Sequence, residues 1–187
     1  MRLFIAIDFP DDLREALAES TRALREAAPS VRWSPAEKLH LTVKFLGQQP
    51  EEMVPRLSEA LTDVAARHRQ MELELAGAGA FPNFRRPRVV WIGVEPSPRL
   101  ELLYHDTELA CERLGFEIEG RVFRPHVTIG RVKPETPREE LRALDEACRA
   151  LQLQETALVE TLDLVVSEPA PRGSRYRVLH AAPLRED

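Results

Sequence analysis

Apolar side chains run without a break through Leu3, Phe4, Ile5, Ala6 and Ile7 and stop at Asp8, which predicts a buried strand over residues 2–8. From Asp11 the period becomes helical, with Leu13, Ala16, Leu17, Leu24 and Ala27 on one stripe until Pro29 ends it. Residues 31–35 read as a short extended piece, and 39–46 as a strand closed by Gly47. A second helix is predicted over 51–69, with Val54, Leu57, Leu61, Val64 and Ala65 on its inner face. A strand over 72–76 then leads into a loop, 77–87, which holds Phe81, Pro82, Asn83 and Phe84. Residues 88–94 form an apolar strand containing Trp91.

The second half alternates in the same way. Leu100, Leu103, Tyr104, Thr107, Cys111 and Leu114 mark a helix over 98–114. A strand over 122–132 follows, then a helix over 138–151 through Leu141, Leu144, Cys148 and Leu151. Strands near 156–159, 162–167 and 176–181 complete the chain. No low-complexity linker divides it, and the elements lack strict βαβ order. The pattern predicts one α+β domain over residues 1–187 with mainly antiparallel sheets.

Composition removes several classes. With 187 residues, 43% of them hydrophobic and 30% charged, the chain can bury a real core. No apolar run reaches the length of a membrane span, and the first apolar run is too short for a signal peptide. Cys111 and Cys148 are the only cysteines, each within a helical pattern, so a disulfide framework or Cys-rich zinc site is excluded and a cytoplasmic setting is expected. Neither a dinucleotide fingerprint nor a P-loop occurs among the 8 glycines. The net charge is −5, which argues against salt-driven coating of long nucleic acid but leaves room for a basic cleft. Of 26 basic residues only Lys38, Lys44 and Lys133 are lysines, so any single arginine is weak evidence of function.

A repeat carries the chemistry. His40-Leu41-Thr42-Val43 in the first half matches His126-Val127-Thr128-Ile129 in the second, and each is followed by an amphipathic helix and further strands. We read two similar lobes facing each other. Alternation along a strand sets His40 and Thr42 on one face and Leu41 and Val43 in the core, with the second motif alike. The same alternation predicts Lys44 on the face of His40 and Phe45 in the core. Arg124 and Arg131 flank the second motif.

Two imidazoles titrating near neutrality can serve as general acid and general base. Phosphoryl transfer suits such a pair, because attacking and leaving oxygens lie on opposite sides of phosphorus. Threonine hydroxyls can donate to the non-bridging oxygens, and cations offset the developing charge.

At these residues the chain resembles a known group. The paired His-x-Thr motifs look like those of the 2H phosphoesterase superfamily. The words Arg2-Leu3-Phe4-Ile5-Ala6-Ile7, His40-Leu41-Thr42-Val43-Lys44-Phe45-Leu46-Gly47, Phe81-Pro82-Asn83 and Arg124-Pro125-His126-Val127-Thr128-Ile129-Gly130-Arg131 resemble its RNA 2′,3′-cyclic phosphodiesterase branch, also called the LigT-like or 2′-5′ RNA ligase family. The resemblance implies a bilobal fold, with two pseudo-symmetric lobes facing a central cleft and helices outside. It implies metal-independent, cofactor-free hydrolysis of an RNA 2′,3′-cyclic phosphate end to a 2′-phosphate, with reversible 2′-5′ ligation as a weak companion activity in RNA processing. Carried over, His40 is the proton donor, His126 the proton acceptor, and Thr42 and Thr128 bind phosphate. Lys44, Arg124, Arg131 and Phe81 are further candidate contacts to phosphate or RNA.

The remaining candidates read more plainly. His68 falls on an inner helical stripe and takes a structural role, His105 is solvated, and His180 is structural on a late strand. Phe81 and Phe84 either stack on a base or anchor their loop. Arg85, Arg86 and Arg88 beside them are a candidate contact to RNA phosphate. No metal-ligand spacing is present, and a metal site is not expected. The partner expected is an RNA end or related nucleotide, met by a monomer without a membrane. Rival readings are a binding module without turnover, or a phosphodiesterase acting on linear 2′-5′ oligonucleotides or small cyclic nucleotides.

Overall fold

In the computed structural model, which describes residues 1–186, the apolar run at the start of the chain serves two faces of one sheet. In β1 (Arg2–Asp8), Leu3, Ile5 and Ile7 join the main core, whereas Phe4 and Ala6 pack with Val165 in a small cluster of their own. That division explains the unbroken hydrophobic pattern. The helices are α1 (Asp11–Ser20), α2 (Arg22–Ala27), α3 (Met53–Ala65), α4 (Pro98–Arg113) and α5 (Arg138–Ala150). Their buried apolar residues, among them Leu17, Leu24, Leu57, Leu61, Leu100, Leu103 and Leu144, belong to the main core. The fold is α+β, with a curled, mostly antiparallel sheet. No helix among the described residues is long and apolar enough to cross a membrane.

The sheet runs β7 (Gln154–Val159), β4 (Met71–Phe81), β5 (Val89–Val94), β6 (His126–Arg131), β3 (His40–Gln48), β1, β8 (Thr161–Ala170) and β9 (Gly173–Pro183), and the short β2 (Arg32–Trp33) pairs with β6. The strands bearing the two His-x-Thr motifs are therefore neighbours. Their pairing rests on one register pair, Leu41 with Val127, both fully buried.

Three expectations change. The single helix expected from Asp11 until Pro29 is two, broken at the buried Thr21, whose hydroxyl donates back to the Leu17 carbonyl at 2.8 Å. The loop expected over 77–87 begins later, because β4 continues to Phe81 through an irregularity at Gly77, which has φ of 69°. Trp91 lies so close to Gly79 that a Cβ there would come within 2.4 Å of its ring, so the small residues that hid this strand make room for an indole. The strand expected from Val122 begins at His126 instead. The segment before it is tied elsewhere: Phe123 stacks on Tyr104 of α4 at 4.0 Å, and the Glu119 N–H donates to Glu108 at 2.9 Å.

Two bulges matter more. In the β1–β3 ladder Ile5 faces Lys44 and Ala6 faces Thr42, which leaves Val43 as the extra residue. In the β5–β6 ladder Val90 faces Gly130 and Trp91 faces Thr128, which leaves Ile129 extra. After each bulge the alternation is reversed. Val43 and Lys44 are both buried and Phe45 is exposed; Ile129 and Gly130 are both buried and Arg131 is exposed.

Candidate active site

Each motif begins where a backbone carbonyl grips an imidazole. His40 Nδ1 lies 2.7 Å from the Lys38 carbonyl oxygen, and His126 Nδ1 lies 2.7 Å from the Arg124 carbonyl oxygen. A carbonyl only accepts, so Nδ1 carries hydrogen and donates in both rings, and Nε2 is left for chemistry. His40 Nε2 also lies 2.9 Å from Thr42 Oγ1. Thr42 and Thr128 are half-buried beside the histidines, above the buried Leu41, Val43, Val127 and Ile129. The sequence expectation for these four residues matches their placement on one face.

The two rings have different surroundings. His40 sits among Phe4, at 5.0 Å between ring centroids, and Tyr176 of β9, edge-on at 5.4 Å. Burial there holds its pKa below the ordinary imidazole value, against the opposing pull of the Lys38 carbonyl and the Asp8 carboxylate. His126 meets Phe81 edge-on at 5.0 Å, and Phe81 in turn packs on Trp91 at 5.1 Å. Phe81 thus lies on the cleft face, whereas Phe84 packs against the main core and anchors its loop.

The flanking cations divide. Arg131 is exposed and, beyond the Ile129 bulge, carried out of the core face. Arg124 is exposed too, and its carbonyl holds His126. Lys44 is not a phosphate contact. Its Nζ donates to both Glu108 carboxylate oxygens, at 2.8 and 2.9 Å, and to the Glu117 carbonyl at 2.8 Å, all under the sheet. The Val43 bulge turns it inward and turns Phe45 outward, so Phe45, expected in the core, is 69% exposed and 6.3 Å from Phe4. Sequence reasoning missed Phe4 and Tyr176 as neighbours of His40, and Phe45 as an exposed ring on the far side of Phe4. A repeat-aware reading of the five residues after each histidine could have found Phe45, because it stands where Arg131 stands.

Elsewhere, His68 Nε2 lies 2.7 Å from Asp106 Oδ2, His105 is exposed, and His180 Nε2 lies 2.8 Å from Thr62 Oγ1. Burial pushes the thiols of Cys111 and Cys148 up to about 11 and about 12 respectively, which keeps both unreactive. Among the described residues no group of three or more His, Cys, Asp or Glu side chains is placed to hold a metal ion.

Comparison with known proteins places this arrangement. The family model described as the 2′-5′ RNA ligase superfamily matches residues 9–170. The chain is 32% identical over 176 residues to the RNA 2′,3′-cyclic phosphodiesterase of Methanothermobacter thermautotrophicus, covering 94% of this chain and 95% of that one. Among solved structures, TT0787 of Thermus thermophilus superposes with a TM-score of 0.81 at 31% identity, covering 100% of both chains. Escherichia coli LigT in complex with 3′-AMP superposes with a TM-score of 0.72 at 29% identity, covering 98% of this chain and 97% of that one.

Proposed function

This chain belongs to the 2′-5′ RNA ligase superfamily, and from that membership we propose that it opens the 2′,3′-cyclic phosphate at an RNA end to leave a 2′-phosphate. His126 Nε2 takes a proton from water as the water oxygen attacks phosphorus. The P–O3′ bond breaks on the opposite side, and His40 Nε2 gives its proton to the departing O3′. Thr42 and Thr128 donate to the non-bridging oxygens, and Arg131 faces the charge that builds on them. Tyr176 beside His40, and the exposed Phe45 next to Phe4, offer aromatic faces to the terminal base. The reading of the chain as one two-lobed unit with a motif in each lobe, acting as a cytoplasmic monomer, belongs to the same proposal.

The observation that carries it is the matched grip on the two imidazoles. Carbonyls of Lys38 and Arg124 hold both Nδ1 atoms at 2.7 Å, on adjoining strands joined at Leu41 and Val127. Such orientation by an outer partner is how a histidine is fixed for proton transfer.

The test is hydrolysis of an RNA bearing a 2′,3′-cyclic phosphate, in excess EDTA, with the product isomer identified. The native chain should turn over and yield the 2′-phosphate. His40→Ala and His126→Ala should each lose roughly 10²- to 10⁴-fold in kcat. Binding without turnover by the native chain would leave a binding module as the better reading.

A further inference from the structure

The chain carries an arginine-lined groove that the hydrolytic reaction leaves unused. It lies between the loop joining β4 to β5 and the exposed side of α5, encloses about 890 Å³, and is lined by Arg85, Arg86, Arg138 and Arg142 with Pro82 and Phe84. None of these four arginines belongs to an ion pair among the described residues, although Arg14, Arg22, Arg149, Arg175 and Arg177 all do. The carboxylate that also lines the groove, Asp145, is held by Arg149 at 2.8 Å. Four unpaired guanidinium groups repel one another, and an anion with several charged oxygens relieves that repulsion. Asn83 holds the loop side of the groove in shape, because its Oδ1 accepts from the N–H groups of Arg85 at 2.9 Å and Arg86 at 3.2 Å.

The position of the groove selects its ligand. Pro82 follows Phe81, whose ring touches His126, and Phe81 lies in register with Val89, which in turn faces Arg131. The groove therefore begins one residue along the chain from the Phe81 ring that packs on His126. Under the proposed function, on which this inference rests, the departing O3′ and its ribose lie on the His40 wall, and the chain that bears them leaves from that side. The His126 wall belongs to the attacking oxygen.

We propose that the groove binds the sugar-phosphate backbone of a second, 5′-hydroxyl RNA strand and delivers its O5′ to the place that water takes in hydrolysis. His126 then accepts the proton of the 5′-hydroxyl as the O5′–P bond forms. The O3′–P bond breaks, O3′ takes the proton of His40, and the phosphorus keeps its O2′ bond, so the strands end joined 2′ to 5′. No further reactant is needed. The arginines touch phosphates remote from the reacting atoms, so they position the strand and take no part in the proton transfers.

The experiment compares the native chain with Arg138→Gln/Arg142→Gln, both on the exposed face of α5. Three rates are read: hydrolysis of a cyclic mononucleotide, hydrolysis of a long RNA with a 2′,3′-cyclic phosphate, and joining of that RNA to a 5′-hydroxyl oligonucleotide. The expected result is a loss of joining of about 10-fold or more, with both hydrolysis rates within about twofold. Binding of the fluorescent 5′-hydroxyl oligonucleotide is measured separately, and the variant's log–log salt slope should fall in magnitude by about 1.4 for the two cations removed. Loss of long-RNA hydrolysis with mononucleotide hydrolysis intact would overturn the proposal, because the groove would then hold the substrate's own chain. Unchanged joining and binding, or a native chain that hydrolyses but never joins, would overturn it as well. A native chain that binds the oligonucleotide through these arginines yet turns nothing over would instead overturn the catalytic reading above.

Discussion

Val43 and Ile129 are the same residue of the two motifs in structural terms: each follows His-x-Thr, each is buried, and each is the unpaired member of a β-bulge. The bulges decide which side chains reach the cleft. Without them Lys44 would stand beside His40 and Phe45 would be core; with them, Phe45 and Arg131 are the residues turned outward.

One consequence concerns base binding. Phe45 is largely exposed, so Phe45→Ala should leave stability within about 0.5 kcal/mol. Loss of a stacking face costs about 1–3 kcal/mol, so the KM for a cyclic-phosphate nucleotide should rise roughly 5- to 150-fold while Phe45→Trp retains binding. Steady-state kinetics on the three proteins checks this, and an unchanged KM would remove Phe45 from the base site.

A second concerns pH. Burial against Phe4 and Tyr176 keeps His40 below the ordinary imidazole range. Tyr176→Ala admits water to the ring, and the titration of His40 should move to higher pH, taking its limb of the kcat/KM profile with it. The sign for folding is fixed too: the unfolded chain protonates first, so this histidine's contribution to stability is present above about pH 6.5 and is lost as pH falls through its lower folded value. Proton NMR of the His40 ring in both proteins measures the shift directly.

Asp163 gives a stability test of opposite sign. It is buried, one carboxylate oxygen has no hydrogen-bond partner, and burial pushes its pKa up to about 6. The folded state holds the proton more tightly than the unfolded chain, so stability is full below about pH 3.8 and is lost as pH rises through 6. Asp163→Asn, neutral throughout, should therefore be more stable than the native chain at pH 8 by on the order of 1–3 kcal/mol and nearly equal to it at pH 4. Thermal melts at the two pH values decide the matter, and an equal gain at both would mean that ionisation is not the cause.

The Lys44–Glu108 pair is buried on both sides, with exposures of 8% and 4%, and ties β3 to α4 and to the segment that leads into β6. Lys44→Met alone strands a buried carboxylate and should cost about 3–5 kcal/mol, whereas adding Glu108→Leu should restore much of it. Urea unfolding of the single and double variants gives the coupling directly. A double variant less stable than the single would show that the ions are worth more than their burial costs.

The sequence made the motif residues legible because alternation holds from His40 to Val43 and from His126 to Ile129, and because the repeat gave each reading a second instance. It failed one residue later. A bulge leaves no mark in the order of apolar and polar residues: Val43-Lys44-Phe45 reads equally well in either register. The end of β4 is illegible for another reason: Gly77 and Gly79 read as a loop, and only the Trp91 ring lying where a Gly79 side chain would stand shows why so small a residue sits within the strand. Tyr176 reaches His40 from β9, at the far end of the chain, through a sheet order that periodicity does not encode.

The single register pair between the motif strands has a last consequence. Continued one residue either way, the Leu41–Val127 match sets His40 across from Thr128 and Thr42 across from His126. A half-turn about that point exchanges the two imidazole–hydroxyl pairs. A catalyst of this kind has little preferred direction of its own: the proton transfers that open a cyclic phosphate also close it again, with donor and acceptor trading places. Under the proposed mechanism, the outcome, a phosphate end or a joined strand, is then decided by whichever oxygen stands at His126 when phosphorus arrives.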